Sequence, residues 1–274
     1  MRINNNIMAM NTQRQLGITE TSTAKSMQKL SSGLRINSAS DDAAGLAISE
    51  KMRSQIRGLD QASRNAQDGV SLLQTAEGTL NTTHDILQRM RELATQASSG
   101  TNGTDEISKM NDEIGQLVDE IDTTGQNTTF NGQKILATDQ DITLQVGANA
   151  GDTMTLSWKA QTSSALGEDA VDISSLSITD ASSASAAITT LDTAIESVSK
   201  SRSKMGAFEN RLDYTTSNVN NASENLQAAE SRVRDVDMSK EMMTLTKFNI
   251  LQSAATSMLA QANQAPQSVL KLLQ

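Results

Sequence analysis

The sequence predicts a mainly α-helical protein, with long antiparallel helical rods in a coiled-coil-like bundle and a small β-hairpin near the tip. Three observations predict this class: a heptad repeat in each half of the chain, an alternating apolar pattern in the middle, and few aromatic residues. Only 2% of the 274 residues are aromatic. Because large aromatic side chains dominate ordinary globular cores, this core must consist of aliphatic side chains and Met. That composition favours a helix bundle over a broad catalytic domain.

The longer repeat lies in the second half of the chain, over residues 181–236. Every seventh position is apolar without exception, and the members are Leu191, Val198, Met205, Leu212, Val219, Leu226 and Val233. A seven-residue repeat kept for this length holds one stripe against a partner and favours a left-handed supercoil. A helix on the order of 80 Å long cannot bury such a stripe alone, so another part of the chain must cover it.

A second long helix, expected from residue 43 to about residue 99, is the predicted partner. Its seventh positions are Leu59, Ala66, Leu73, Leu80, Leu87 and Ala94, and the alanines allow a neighbouring helix to approach closely. The preceding run of Ser, Asn and Asp favours a turn. Asp41 or Asp42 is expected to start the helix as its cap or first-turn acid. The repeat itself carries no direction; the antiparallel pairing is our prediction.

Shorter elements are expected between the two long helices. Apolar residues in 3-4 spacing predict a helix that is capped by Thr104 and ended by Gly125; they are Ile107, Met110, Ile114, Leu117 and Ile121. Two alternating runs around residues 147–151 predict a β-hairpin. Residues 159–180 are rich in Ser, Ala and Asp without periodicity, so we expect a loop at the far tip of the molecule.

Helices are also expected at both ends of the chain. The N-terminal one has a thin, imperfect apolar stripe, whereas residues 238–273 carry apolar side chains at helical spacing. The predicted organisation is therefore a terminal helix with its connecting loop in residues 1–44, two parts of a central domain in 45–180 and 181–236, and a second terminal helix in 237–274.

Composition and charge exclude several classes of function. The net charge is −9, and residues 100–180 contain 14 acidic against 3 basic residues. This anionic middle argues against a nucleic-acid partner, whose phosphates require basic patches. The chain has no Cys and a single histidine, His84. A zinc site or an activated nucleophile would lack its parts, so we expect no cofactor, no metal and no enzyme activity.

No membrane insertion and no cleaved signal peptide are expected either. The first ten residues lack the apolar run of a signal peptide. Residues 248–270 carry no charge, but polar side chains interrupt them throughout. They also lack the Lys and Arg that membrane-surface helices use.

Several long runs near both ends of the chain carry a specific pattern. They are Leu30–Ser49, Asn65–Gly78, Phe130–Gly132, Glu230–Asp237, Glu241–Met243 and Gln261–Gln267. Together, and in this order, they resemble bacterial flagellin, the subunit of the flagellar filament. The chain is similar to a short form with almost no outer-domain insertion.

The resemblance implies a polymer of this chain with itself that serves motility. Terminal helices would form the core tube of the filament, and the apolar heptad residues of the long helices would pack in its wall. The residues expected to mediate self-assembly are Ile3, Ile7, Met10, Leu245, Phe248, Leu251, Met258 and Leu270. The subunit would leave the cytosol unfolded through the type III export apparatus, after binding an export chaperone. It would then meet the flagellar cap and the hook-associated junction proteins outside the cell.

One segment resembles the part of flagellin that Toll-like receptor five recognises. Position by position, Arg89, Leu93 and Glu113 match. Recognition of shed monomer by this receptor is therefore a hypothesis. Ser and Thr between residues 155 and 164 are, by the same resemblance, candidate O-glycosylation sites.

Alternatives remain open at this stage. Asp41 and Asp42 suit either a helix start or a cation site. Asp235 and Asp237, with the arginines beside them, suit either a solvated joint or an ion network between subunits. The hook–filament junction protein is the nearest rival function, and a cytosolic coiled-coil adaptor is a more distant one.

Overall fold

The computed structural model describes residues 6–272, with side chains up to residue 264. Within this range the chain forms five helices and six strands and is mainly α-helical, as predicted. The helices are α1 (Ile7–Ser32), α2 (Ala43–Ala97), α3 (Thr104–Asn127), α4 (Ala181–Arg234) and α5 (Met238–Leu272). The strands are β1 (Thr129–Phe130), β2 (Gln133–Lys134), β3 (Gln140–Gln145), β4 (Thr153–Trp158), β5 (Gln161–Thr162) and β6 (Ala165–Leu166).

The chain divides into two compact units. Unit 1 joins Met1–Ser54 with Asn225–Gln274, and unit 2 comprises Gln55–Glu224. Each of the two long helices contributes residues to both units. Both ends of the sequence therefore belong to one unit, and the middle of the sequence forms the other.

In unit 2, α2 and α4 pack antiparallel, as predicted. The residue numbers of the contacting side chains increase along α2 while those of their partners decrease along α4. Asp60 accepts a hydrogen bond from Ser223 at 3.0 Å, Gln74 donates to Glu209 at 2.7 Å, and Arg91 pairs with Asp192 at 2.5 Å. The heptad residues in the middle of the pair are buried: Leu73, Leu80, Leu87, Leu191, Val198, Met205, Leu212 and Val219. Leu59, Leu226 and Val233, nearer the ends of the repeats, are half-buried.

Helix α3 covers the core of unit 2, but its ends differ from the sequence expectation. Gly103, not Thr104, is the N-cap, and its N–H donates to the Glu106 carboxylate at 3.0 Å. The helix also continues two residues past Gly125. Gly125 therefore lies inside the helix. A side chain would not fit there, because the carbonyl oxygen of Gln161 lies 2.2 Å from where a Cβ would be. In the apolar stripe Val118 is buried and Leu117 only half-buried.

The predicted hairpin forms, with β3 and β4 antiparallel and Ile142 opposite Leu156. Its location differs from the expectation of a tip. The Asn65 side chain donates to the Gln145 carbonyl at 3.0 Å, and Ala148 in the turn lies against Gly58. Helix α2 continues for 32 residues beyond Asn65, to Ala97. The hairpin therefore lies along the first part of α2 in unit 2, and not where the helix ends.

Residues 159–180 are packed and not a free loop, which corrects the sequence expectation. They form the short pair β5–β6, and Leu166, Ile173 and Ile178 are buried in the core of unit 2. Two backbone N–H groups of the segment donate to side chains of α3, from Ser163 to Asp122 at 2.8 Å and from Ile178 to Asn111 at 2.7 Å. The apolar residues are too irregularly spaced to show a helical or strand period, so their burial was not predictable from periodicity.

Candidate assembly surface

In unit 1, α1 and α5 lie side by side and antiparallel. The Asn6 side-chain amide donates to the Ala262 carbonyl at 2.7 Å. At the other end of the pair, the Val236 N–H donates to the Gly33 carbonyl at 3.0 Å, and Leu34 forms an antiparallel bridge with Asp235. The two terminal helices therefore partner each other within one chain.

The inward side of α1 consists mostly of small and hydroxyl residues. Thr19 and Ser26 are its buried members, and the half-buried positions in step with them are Ala9, Thr12, Leu16, Thr23 and Leu30. The Thr19 hydroxyl is satisfied within the helix, because it donates to the Gln15 carbonyl at 2.9 Å. Small side chains allow the helices to approach closely, but they remove little apolar surface from water.

Most of the large apolar side chains of the two helices face outward, whereas Leu16, Leu30, Leu245, Phe248 and Leu259 are half-buried. The exposed ones are Ile7, Met8, Met10, Ile18 and Met27 on α1, and Met238, Met242, Met243, Ile250, Leu251 and Met258 on α5. In the described part of unit 2, by contrast, Tyr214 is the one large apolar side chain that is exposed. Soluble proteins rarely expose such contiguous apolar surface unless it binds something.

Several of these apolar side chains line two shallow grooves. The first lies on α5 and is lined by Met242, Met243, Ile250 and Leu251, with Lys247 at its edge. The second spans both helices and is lined by Met8, Asn11, Thr12, Met258, Gln261 and Ala262. We call the outward apolar side chains of α1 and α5, with these two grooves, the terminal apolar surface.

The structure divides the residues expected to mediate self-assembly. Ile7, Met10, Leu251 and Met258 belong to the terminal apolar surface, whereas Leu245 and Phe248 are half-buried. Ile3 and the side chain of Leu270 lie outside the described residues. The terminal apolar surface also contains Met8, Ile18, Met243 and Ile250, which were not predicted from the sequence. The signal that separates the two faces of α1 was available as the seven-residue spacing of Thr12, Thr19 and Ser26.

The connection between α1 and α2 uses both acidic residues for local structure. The Asp42 carboxylate accepts the Gly45 N–H at 2.9 Å and so starts α2. Asp41 accepts the N–H groups of Ser38 at 3.0 Å and Asn37 at 3.2 Å, which closes the turn. These hydrogen bonds, with that of the Ser38 N–H the most important, lower the pKa of Asp41. The described residues contain no cluster of groups suited to hold a metal ion.

The connection between α4 and α5 also finds its partners inside unit 1. Arg234 donates to Glu50 at 2.8 Å, and Asp235 accepts from the Ser231 hydroxyl at 2.6 Å. Asp237 accepts the Lys240 N–H at 3.1 Å, which caps α5. Asp235 and Asp237 therefore have partners within the chain, whereas the buried Nε atom of Arg234 has no hydrogen-bond partner among the described residues.

The three residues matched to the receptor segment lie in unit 2 and differ in exposure. Arg89 donates to Glu113 at 3.0 Å and to Glu92 at 3.2 Å on the surface. The hydrogen bond to Glu113 is the main reason that the pKa of Arg89 is raised. Leu93 is buried within the subunit. Of the three, Arg89 and Glu113 have polar groups that are accessible to solvent.

Other candidate sites have local structural roles. The Nε2 atom of His84 lies 2.8 Å from the Gln88 side-chain amide, one helical turn away. Ser163, one of the candidate glycosylation sites, is buried, whereas Thr155 and Ser164 are exposed. Among the described helices none is both long and apolar enough to span a bilayer.

Comparison with known proteins identifies the family. Residues 3–141 match the bacterial flagellin N-terminal helical region, and residues 188–273 match the bacterial flagellin C-terminal helical region. A flagellin of Halalkalibacterium halodurans is 56% identical over 274 residues and one of Bacillus subtilis 48% identical over 305 residues, with 100% of each chain covered.

A solved structure agrees with these matches. The crystal structure of Bacillus cereus flagellin is 39% identical and superposes with a TM-score of 0.50, over 61% of this chain and 94% of that chain. The two terminal family regions, the full-length relatives and the antiparallel long helices agree with one another. The chain therefore belongs to the bacterial flagellin family and is a structural subunit of the flagellar filament.

Proposed function

We propose that this flagellin polymerises by covering its terminal apolar surface with the same surface of neighbouring copies. The observation that carries the proposal is the contrast between the two units. Unit 2 keeps its large apolar side chains, except Tyr214, from full exposure, whereas α1 and α5 leave most of theirs in water. A second copy is the partner that this surface fits, because the chain is a filament subunit and every neighbour brings an identical set of apolar side chains.

Folding of the terminal helices is coupled to this assembly. The buried residues of α1 that face α5 are Thr and Ser, and the larger apolar residues at the contact, such as Leu16 and Phe248, are only half-buried. The contact therefore removes limited apolar area from water, and isolated helices are marginal without tertiary packing. In the free subunit the pair therefore offsets only part of its ordering entropy. Neighbouring copies supply the remaining burial, which prevents assembly before subunits meet at the growing end of the filament.

Removal of residues 238–274 tests the proposal directly. The truncated chain is expected to stay unpolymerised in ammonium sulfate. Negative-stain microscopy and sedimentation would measure this. Unit 2 should keep its thermal transition, since its core contains none of the deleted residues. Filaments formed by the truncated chain would refute the scheme.

A pair of point variants on α5 refines this test. Ile250→Asp places a charge on the terminal apolar surface, whereas Asn249→Asp places the same charge on the adjacent exposed polar position. We expect only Ile250→Asp to abolish polymerisation, because burying an unpaired carboxylate is costly. Equal behaviour of the two variants would exclude this part of α5 from the interface.

The same surface supports the proposed flagellar partners. An export chaperone in the cytosol would cover the apolar groove on α5 before the chain enters the type III export apparatus. The cap and the hook-associated junction proteins would meet it in the extracellular filament. Competition between a purified export chaperone and polymerisation, lost in Ile250→Asp, tests the first of these contacts.

Recognition by Toll-like receptor five is proposed for the free subunit through Arg89 and Glu113. Its support is the exposed ion pair that these residues form on unit 2. Arg89→Asp should reduce receptor signalling in reporter cells, while Arg57→Asp, at another exposed arginine of α2, should not. Unchanged signalling by Arg89→Asp monomer would reject the proposal.

A further inference from the structure

The methionines of this chain are divided sharply between the two units. Of the twelve in the described residues, eight belong to unit 1 and four to unit 2. All four of unit 2 are buried: Met90, Met110, Met154 and Met205. Seven of the eight in unit 1 are exposed: Met8, Met10, Met27, Met238, Met242, Met243 and Met258. The extremes are Met243, 67% exposed, and Met90, 0% exposed.

The exposed methionines coincide with the terminal apolar surface. Met242 and Met243 line the groove on α5, and Met8 and Met258 line the groove that spans α1 and α5. The chain has no Cys, so no thiol of its own competes for an oxidant. The most accessible sulfur atoms of the subunit therefore lie on the surface that must become dry on assembly.

We propose that these methionines are oxidation sites that make polymerisation of the free subunit sensitive to peroxide. The thioether sulfur attacks one oxygen of hydrogen peroxide, the O–O bond breaks, a sulfur–oxygen bond forms and water leaves. The sulfur loses the two electrons that reduce the peroxide. The sulfoxide is polar, so its transfer from water into an interface of mainly apolar side chains is costly. This inference rests on the proposed assembly surface.

Two consequences follow for the chemistry of the filament. Assembled subunits resist the same oxidant, because neighbours cover the sulfur atoms that the free subunit exposes. The block is also reversible, since methionine sulfoxide reductases remove the oxygen as water while a dithiol is oxidised to a disulfide. Assembly competence of this flagellin thus depends on the oxidation state of its terminal helices, whereas unit 2 is unaffected.

Peroxide treatment of the free subunit, followed by catalase, tests the inference. Peptide mass spectrometry should find sulfoxide at the exposed methionines and none at Met90 or Met205. The critical concentration for polymerisation should rise on the order of tenfold or more, since polar groups left unpaired at an interface are costly. Reductases for both sulfoxide epimers, with dithiothreitol, should restore it. The thermal transition of unit 2 should not change.

The variant Met8→Leu/Met242→Leu/Met243→Leu/Met258→Leu provides the matched test. Leu preserves size and apolarity but cannot form a sulfoxide. The ratio of the critical concentration after peroxide treatment to that before it should therefore be smaller for this variant than for wild type, each protein being compared with its own untreated sample. Met205→Leu, at a buried position of unit 2, should stay sensitive. Preformed wild-type filaments should oxidise at Met242 and Met243 at least several-fold more slowly than free subunits, a comparison that needs no variant.

The outcomes separate the two proposals. Untreated wild-type subunits that never polymerise would refute the assembly surface itself. Wild-type subunits that carry sulfoxide at Met242 and Met243 and still polymerise at an unchanged critical concentration would refute only the oxidation inference. Equal oxidation rates of Met242 in subunits and filaments would do the same.

Discussion

Gly125 allows the segment after the hairpin to lie directly on α3. A Cβ at this position would stand 2.2 Å from the Gln161 carbonyl oxygen and 3.1 Å from its carbon. Both are backbone atoms that cannot rotate away. Gly125→Ala should therefore destabilise unit 2 by about 1–3 kcal/mol, the usual cost of overpacking, in urea unfolding followed by circular dichroism.

Gly115 in the same helix provides the control. A Cβ there meets no atom within 4 Å, so Gly115→Ala should stabilise the helix by roughly 0.5–1 kcal/mol through its higher propensity. If both variants shifted unfolding in the same direction, the close contact with Gln161 would have no energetic role. From sequence alone Gly125 predicted a helix end, because spacing does not reveal which backbone will approach a glycine.

The Asp41 carboxylate is held by the turn between α1 and α2. Its carboxylate accepts two backbone N–H groups in the folded turn, which stabilises the charged form and lowers the pKa. Because the folded pKa is the lower one, the contribution to stability is complete above the unfolded value of about 3.9. It is lost as the pH falls through the folded value.

Carbon-detected NMR titration of the free subunit measures this directly. The Asp41 carboxyl signal, assigned by its absence in Asp41→Asn, should titrate with a midpoint below 3.9. The variant should also lose the part of the acid dependence of unfolding that Asp41 contributes. A midpoint at or above the ordinary value would mean that the turn does not form in solution.

At the scale of elements, periodicity predicted what repeats and missed what does not. Seven-residue spacing identified α2 and α4 as partners, because the repeated positions of both helices bury apolar residues. Leu80 on α2 and Val198 on α4 are examples. The same rule failed on α1, where the buried positions are Thr19 and Ser26 and the apolar side chains are exposed. A helix that binds two kinds of neighbour has two stripes, and hydrophobicity alone selects the wrong one for the contact within the chain.

Residues 159–180 show the other limit, because polar side chains of distant elements hold them. The Ser197 hydroxyl on α4 accepts the Asp169 N–H at 2.9 Å and donates to the Leu166 carbonyl at 3.1 Å. Nothing in the local sequence around Asp169 announces this partner. Ser197→Ala should leave the Asp169 N–H unpaired, whereas the Leu166 carbonyl keeps its hydrogen bond from the Val171 N–H at 3.0 Å. The loss should cost about 1–3 kcal/mol, with faster amide hydrogen exchange at Asp169.

Ser185, an exposed serine of the same helix, is the matched control. Ser185→Ala should change the unfolding free energy by less than about 0.5 kcal/mol and leave exchange at Asp169 unchanged. Slow exchange at Asp169 in the Ser197→Ala variant would show that the segment is held by its apolar residues alone.

Across the whole molecule, the two units differ in how much of their large apolar surface the chain itself buries. Unit 2 contains the buried cluster that runs from Ala66 to Leu212 and includes Trp158, whose indole N–H donates to the Ile135 carbonyl at 2.8 Å. Unit 1 pairs its terminal helices through small residues and leaves the terminal apolar surface in water. The proposed scheme therefore predicts that the stability of unit 2 is independent of protein concentration, whereas that of α1 and α5 should rise with it as neighbouring copies supply further burial.

Limited proteolysis before and after polymerisation distinguishes these two behaviours. In dilute free subunit, a protease of broad specificity should cut within α1 and α5 first and leave a resistant fragment close to Gln55–Glu224, since local opening is easiest where few apolar contacts are made. In filaments the same sites should resist cleavage by at least an order of magnitude, because opening then also breaks contacts between subunits. Terminal helices that resist the protease equally in dilute subunit would show that the α1–α5 pair is complete without neighbours, and coupled folding and assembly would then have to be abandoned.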